Sequence, residues 1–191
     1  MAGEPEDPKE HSKVEPLFLI AIPQLGDPNF ARSVVLLLHH GADGALGLVI
    51  NAPTDVTLGA FAKEHSLPCH SANKERPILR GGPVEPSRGW ILHGDESVEE
   101  RQDVLPGLCV SGSVGTLNGL LADGAQPFRL LLGYAGWGAG QLESEMEHGS
   151  WITVEASAKH VLETPPATCW DAVLREMGVD PTRLAVGSGI H

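Results

Sequence analysis

The sequence predicts a single domain of the α+β class, built on a mixed β-sheet. Its 191 residues suffice for one domain. Short apolar runs bounded by Gly, Pro and Asn indicate strands, and apolar residues at helical spacing indicate helices. Because these segments do not follow a strict β-α-β alternation, an α+β fold is favoured over a doubly wound parallel sheet.

The first residues differ in composition from the rest of the chain. Residues 1–15 are mostly charged side chains and prolines, with almost no apolar residues. Such a segment cannot bury enough surface to offset its chain entropy. We therefore expect a disordered acidic tail over 1–15 and one domain over 16–191.

Strands are predicted from continuous apolar runs that end at turn residues. The Asp43-Gly44 pair between two such runs is typical of a β-hairpin. Residues 94–107 are expected to form an acidic, exposed connection. The expected strands are 17–22, 34–38, 47–50, 78–80, 89–93, 108–111, 128–134 and 151–155.

Helices are predicted from capping residues followed by an apolar face. Asp55 or Thr57 begins a helix that ends at 65, and Ser113 begins one that ends at 122, with Val114 on its apolar face. Three glycines at 136, 138 and 140 form a corner before a helix at about 140–148. The last helix has Thr164 as its cap and ends at Gly178.

Charge and composition exclude several classes of function. The formal net charge is −12, and the cationic residues form no dense patch. Direct binding to a phosphate backbone is therefore not expected. The three cysteines form no C-x-x-C pair, and no signal peptide or membrane-spanning run is found, so a cytoplasmic protein is predicted.

Three groups of residues could form a reactive or binding site, and each has a simpler structural interpretation. The glycine corner could bind an anion, but Glu143 and Glu145 in the next helix would repel phosphate. Ser111 with a histidine and Asp27 could form a hydrolytic triad, but the chain lacks a nucleophile elbow. His65, Cys69 and His70 lack a second ligand pair. No metal or cofactor is predicted.

Several sequence blocks resemble the YqgE/AlgH family of small bacterial proteins. The blocks are residues 18–30 with 32–35, 44–51 with Pro53, 81–84, and 132–143, together with Trp151 and the helix around Trp170. They occur in collinear order over about residues 17–178. The resemblance implies a curved, bifurcated sheet that tends toward a pseudo-barrel, with helices packed outside. It implies no catalytic residues, since the family has no assigned biochemical function, although some members are labelled transcriptional regulators.

The leading hypothesis is a binding or regulatory module that acts through a protein partner or a small ligand. The alternative is a small hydrolase that uses Ser111 or His93, and direct DNA binding is the least favoured. No membrane partner is expected, and homodimerisation through a sheet edge is compatible with the sequence. The residues expected to line the ligand or partner surface are Gln24, Asp27, Asn29, Arg32, Asn51, Tyr134, Trp137, Gln141 and Glu143.

Overall fold

Strands alternate with short helices along the chain, in a computed structural model that describes residues 15–22 and 28–186. The strands are β1 (Leu17–Ala21), β2 (Val34–Gly41), β3 (Gly44–Val49), β4 (Pro53–Thr57), β5 (Pro77–Arg80), β6 (Val84–His93), β7 (Gln102–Leu105), β8 (Leu108–Ser111), β9 (Phe128–Gly138) and β10 (Trp151–Glu155). The helices are α1 (Leu58–Glu64), α2 (Val114–Ala122), α3 (Gln141–Glu147), α4 (Ala158–Leu162), α5 (Pro166–Glu176) and α6 (Pro181–Val186). Residues 1–14 of the tail predicted over 1–15 lie outside the described residues.

The sheet branches at β9. Its hydrogen-bonded order is β10-β1-β2-β3-β9-β6-β8-β7, and β4 and β5 lie off this path. One edge of β9 pairs with β6, while the other pairs with β3 near Trp137 and with β5 near Leu131. The β5–β9 pair is parallel and the other pairs are antiparallel, so the sheet is mixed and bifurcated as expected.

The sheet curls into a half-barrel. Strands β2 and β7 are separated by four strands in the hydrogen-bonded order, yet they line the same cleft. One buried cluster joins Phe18 and Leu36 from one arm to Leu92 and Leu108 from the other, and Trp170 of α5 packs into it. Helices α1 and α2 cover one outer cluster and α3 covers a second. The predicted α+β half-barrel fold is confirmed.

Local signals in the sequence account for the element boundaries that were predicted correctly. Strands β2 and β3 form the expected hairpin, in which Gly41 pairs with Gly44. The side chain of Thr57 accepts a hydrogen bond from the Ala60 amide at the start of α1, and Ser113 accepts one from Thr116 at the start of α2. These caps satisfy backbone donors that a helix start leaves without intrahelical partners.

Several details differ from the expectation, and strand β4 and helices α4 and α6 were not predicted. Gly136 and Gly138 lie inside strand β9, so the chain turns only at Gly140, which has a left-handed φ of 74° at the start of α3. Strand β7 lies within the segment expected to be an exposed connection. Val114 is exposed instead of facing the core. Pro165, not Thr164, occupies the N-cap position of α5.

Candidate functional site

One part of the predicted surface is organised by Asn51. Its Oδ1 accepts a hydrogen bond from the Val34 amide at 2.8 Å, and its Nδ2 donates to the Arg32 carbonyl at 3.0 Å. This carboxamide fixes the chain just before β2. Arg32 can therefore keep a φ of 53°, a conformation that non-glycine residues rarely adopt. Asn51 has a positioning role here.

The Arg32 side chain packs against helix α5. Its guanidinium donates to Asp171 at 2.9 Å and lies 4.6 Å from the ring centroid of Trp170. Nearby, Arg80 donates to Asn29 Oδ1 at 2.6 Å. The three predicted residues Asn29, Arg32 and Asn51 thus all belong to contacts that hold the 28–34 segment in place.

A second part of the predicted surface is organised by Glu145. The indole nitrogens of Trp137 and Trp151 both donate to its Oε2, at 3.0 and 2.8 Å, and Gln141 donates to its Oε1 at 3.0 Å. Phe30 stacks on the Trp137 ring at a centroid distance of 6.1 Å. The carboxylate therefore ties α3 to β9 and β10.

The remaining predicted residues lie apart from these two groups. Glu143 pairs with His40 at 2.6 Å. Its pKa is lowered, first by a hydrogen bond from its own backbone amide and then by His40. Tyr134 packs against Trp90 on the face of β9 opposite to Trp137. Gln24 and Asp27 lie outside the described residues. The structure therefore distributes the described members of the predicted surface over separate places.

His93 and Ser111 meet in the interior. Their strands pair side by side, which places His93 Nε2 2.9 Å from Ser111 Oγ, and both residues are buried. The His93 Nδ1 accepts a hydrogen bond from the Asp95 amide at 3.2 Å, and the Ser111 hydroxyl donates to the Glu100 carbonyl at 3.0 Å. Every polar atom of the pair thus has a partner within the protein.

The directions of these hydrogen bonds oppose a hydrolytic role. Because Nδ1 of His93 accepts, the proton of the neutral ring is on Nε2, which donates to Ser111 and cannot take its proton. Burial lowers the pKa of His93, which favours this neutral form. Among the described residues, no carboxylate forms a hydrogen bond with the ring, whose partners are the Ser111 hydroxyl and the Asp95 amide. The pair acts as a structural hydrogen-bond network.

A cavity lies between the two arms of the curled sheet, and we call it the inter-arm cleft. Its volume is about 800 Å³. Leu37 and Leu38 of β2 line one wall, where a register shift places the extra residue of a β-bulge. Val104, Leu105 and the neighbouring residues of β7 line the other.

Charged side chains also line this cleft, and we call this part of the lining its mouth. Glu15, Glu96 and Asp103 bring negative charge, and the Arg101 guanidinium is held by Asp103 at 2.9 Å and by the Val98 carbonyl. The pKa of Asp103 is lowered, first by its hydrogen bond with Arg101. With its cation already paired, the mouth favours neutral or positively charged groups.

Sequence reasoning missed this cleft because it treated 94–107 as one exposed connection. The apolar triplet at 104–106 within that acidic segment was the available signal. The triplet and Leu38 line the same cleft because the sheet curls, and the curl cannot be predicted from a local sequence pattern.

The described residues, 15–22 and 28–186, contain neither a metal-binding cluster nor a membrane-spanning helix. No group of three or more His, Cys, Asp or Glu side chains in these ranges is placed to hold a metal ion. Across the same part of the chain, no helix combines the length and apolar character needed to cross a membrane. Cys69, Cys109 and Cys169 are free thiols.

Fold and cleft together define a single-domain α+β half-barrel with a ligand-sized cavity. The AlgH-like family (DUF179) matches residues 18–182. A UPF0301 protein of Myxococcus xanthus is 49% identical over 176 residues, which cover 92% of this chain and 97% of the relative. A UPF0301 protein of Vibrio cholerae is 37% identical, with 90% and 96% of the two chains covered. The chain belongs to the AlgH-like family, and the resemblance found in its sequence is confirmed.

Solved structures agree with this assignment. The AlgH protein of Pseudomonas aeruginosa superposes with a TM-score of 0.72 at 32% identity, covering 96% of this chain and 99% of that one. Protein DIP2367 of Corynebacterium diphtheriae gives a TM-score of 0.67 at 22% identity, with 95% of each chain covered, and shows the shared fold.

Proposed function

We propose that this protein is a cytoplasmic binding module that takes up a small ligand in the inter-arm cleft. The observation that carries the proposal is the cleft itself. Its volume of about 800 Å³ lies within the range of roughly 300–1,000 Å³ that is typical of ligand pockets. Its lining combines apolar side chains with charged and polar ones, a combination that can hold and orient a small molecule.

The charge of the mouth selects the class of ligand. Glu15, Glu96 and Asp103 outnumber Arg101, whose guanidinium is already paired. An anionic ligand would be repelled, and a cationic or neutral head group would be accepted. The ligand we propose therefore has an apolar body and a neutral or cationic polar end.

Binding without catalysis is favoured by the His93–Ser111 network. The contact between the His93 ring and the Ser111 hydroxyl has its hydrogen bonds directed against proton abstraction. A net charge of −12 argues in the same way against a direct role on DNA. In a regulatory role, binding of the ligand would change the protein's affinity for a partner.

A binding screen with two matched variants tests the proposal. Neutral and cationic amphiphiles are titrated into the protein and followed by ligand-observed NMR and thermal unfolding. Leu38→Trp fills the cleft and should abolish saturable binding, while Val56→Trp, at a residue whose side chain is already exposed, should leave it unchanged. Equal binding to both variants would overturn the cleft assignment. A screen without any saturable ligand would favour a protein partner instead.

A further inference from the structure

A second cavity, with a volume of about 480 Å³, lies beside strand β6, and we call it the β6 pocket. Strand β8 pairs with β6 along residues 91–93, whereas β6 itself begins at residue 84. Before residue 91, therefore, β8 no longer covers this edge of β6, and the pocket lies there. Its lining includes Arg88 and Trp90 of β6, Val110 of β8, and Glu100 and Gln102 near the start of β7.

Aromatic rings hold the guanidinium of Arg88. Arg88 and Trp90 are two positions apart on one strand and therefore share a face of the sheet. The guanidinium carbon of Arg88 lies 4.4 Å from the ring centroid of Trp90 and 5.8 Å from that of Tyr134. Stacking on a ring fixes the plane of a guanidinium without using its N–H donors, because these donors lie in that plane.

Most of these donors are available to a ligand. Among the described residues, the acceptor that the Arg88 guanidinium contacts is Glu85, whose Oε2 lies 3.3 Å from Nη1. Both side chains of this pair are more than half exposed, and an exposed ion pair contributes little to stability. A carboxylate that enters the pocket can therefore compete with Glu85 for the guanidinium or bind its other N–H groups.

The indole nitrogen of Trp90 is a second donor that lacks a partner. Trp90 lines the pocket, and its Nε1 is buried with no acceptor among residues 15–22 and 28–186. A buried N–H group without an acceptor is unfavourable, and in native proteins such groups usually have a partner. This observation is independent of Arg88, and it also favours a ligand that carries hydrogen-bond acceptors.

A carboxylate belongs to the same lining. The main-chain carbonyl of Glu100 accepts a hydrogen bond from the Ser111 hydroxyl at 3.0 Å, which fixes this residue against β8. Glu100 is exposed, and within the described residues its carboxylate forms no ion pair. The β6 pocket therefore presents one cationic and one anionic group to a ligand.

We propose that the β6 pocket binds a free α-amino acid with an apolar side chain. Such a ligand carries a carboxylate and an ammonium group on one carbon atom, and these match the guanidinium of Arg88 and the carboxylate of Glu100. Trp90 and Val110 supply apolar surface for its side chain. The volume of about 480 Å³ lies within the range of roughly 300–1,000 Å³ that is typical of ligand pockets.

The β6 pocket is distinct from the inter-arm cleft. Among the described residues, Gln102 is the one that both linings share. The cleft is proposed for a neutral or cationic ligand, whereas the β6 pocket requires a carboxylate. Each proposal can therefore fail without the other.

Calorimetric titration with L-leucine tests the pocket, and N-acetyl-L-leucine and L-leucinamide are titrated in parallel. Leucine should bind saturably and raise the unfolding temperature of the protein. Acetylation removes the ammonium charge and amidation removes the carboxylate. We therefore expect each blocked form to bind at least tenfold more weakly than leucine.

Two pairs of variants locate the site. Arg88→Gln and Glu100→Gln should each weaken leucine binding at least tenfold, and both residues are exposed, so the fold should be preserved. Arg175→Gln and Glu99→Gln, at exposed residues outside the lining, are the matched controls and should bind leucine like the unmodified protein. Leu38→Trp, which fills the inter-arm cleft, should also leave leucine binding unchanged.

Three results would overturn the proposal: no saturable binding of leucine, equal binding of leucine and either blocked form, or equal binding of leucine to Arg88→Gln and the unmodified protein. Loss of leucine binding in Leu38→Trp would place the amino acid in the inter-arm cleft, and it would overturn the assignment to the β6 pocket.

Discussion

The backbone of Gly82 lies directly against that of Tyr134: a Cβ atom at Gly82 would stand 2.1 Å from the Tyr134 carbonyl carbon. Gly81 has the same relationship to Gly133, with a distance of 2.3 Å to the carbonyl oxygen. These contacts occur where β9 is shared between β5 and β6. Main chains can approach this closely only where no side chain stands between them. The Gly81–Gly82 pair is therefore what allows the sheet to branch.

Gly82→Ala should strongly destabilise the protein. Since the added methyl group meets backbone and not a flexible side chain, β6 and β9 would have to separate. We expect a loss of at least about 3 kcal/mol in the free energy of unfolding, measured by urea denaturation.

Gly89→Ala is the matched control in the same region. Gly82 lies just before β6 and Gly89 lies on it, yet a Cβ at Gly89 would meet nothing within 4 Å. Its substitution should change stability by less than about 0.5 kcal/mol or increase it. Equal losses for both variants would contradict the role assigned to the branch point.

Asn73 should be important for stability because its side chain donates hydrogen bonds to the C-terminal end of helix α2. It is completely buried, and its Nδ2 lies within 3.1 Å of the carbonyl oxygens of Leu120, Leu121 and Asp123, at the C-terminus of α2. Asn73→Ala would remove this donor from the Leu120 and Asp123 carbonyls, while the Leu121 carbonyl would keep the bond from the His70 amide, and we expect a loss of about 3 kcal/mol by urea denaturation.

Asn73→Asp should be worse still. It keeps the shape of the side chain but directs a carboxylate at carbonyl oxygens, which repel it. Lys74→Ala, at the exposed neighbouring residue, provides the comparison and should be nearly neutral. If the aspartate variant were as stable as the unmodified protein, the amide would not be the donor that holds α2.

Glu145→Gln tests the carboxylate that two indoles share. A carboxamide retains one acceptor oxygen but replaces the other with a donor, so the donors on Trp137, Trp151 and Gln141 cannot all be satisfied. We expect a loss of about 1–2 kcal/mol and a change in near-ultraviolet circular dichroism from the tryptophans. Glu147→Gln, exposed on the same helix, should show neither effect.

The His93 network should make stability depend on pH. Burial lowers the pKa of His93 in the folded protein below its unfolded value of about 6.5. Between these two values the unfolded state binds more protons, so this contribution to stability is complete above about pH 6.5 and is lost as the pH falls toward the folded pKa.

Comparison of the unmodified protein with His93→Gln isolates this effect. The difference in unfolding free energy between pH 7.5 and pH 5.5 should be smaller in the variant, while His148→Gln, at an exposed residue, should follow the unmodified protein. Parallel pH profiles for His93→Gln and the unmodified protein would exclude the neutral, buried state. Neither form should be labelled at Ser111 by a fluorophosphonate, because Ser111 has no base.

The parts of the fold that the sequence predicted are those determined by neighbouring residues. The β2–β3 turn and the caps at Thr57 and Ser113 each depend on bonds within a few positions. The segment from Gly136 to Gly138 was misjudged because its extended form depends on pairing with residues 44–46, far away in the chain. Tertiary pairing there overrides the local preference of glycine for turns.

The candidate sites were harder to predict for the same reason. His93 and Ser111 are 18 positions apart, and only the register of β6 against β8 brings them into contact. Asn51 and Trp137 belong to the sequence blocks that resemble the family, and in the structure their side chains form hydrogen bonds with other parts of the fold.

The branching of the sheet at β9 also bears on how the chain is made. Strands β3 and β6 are synthesised before β9. Each of them pairs with β9 along one of its hydrogen-bonding edges. Until residue 138 leaves the ribosome, both edges stay open to pairing with other nascent chains. The two arms of the sheet therefore cannot join before β9 has been made, and any product that stops short of residue 138 should be prone to aggregate.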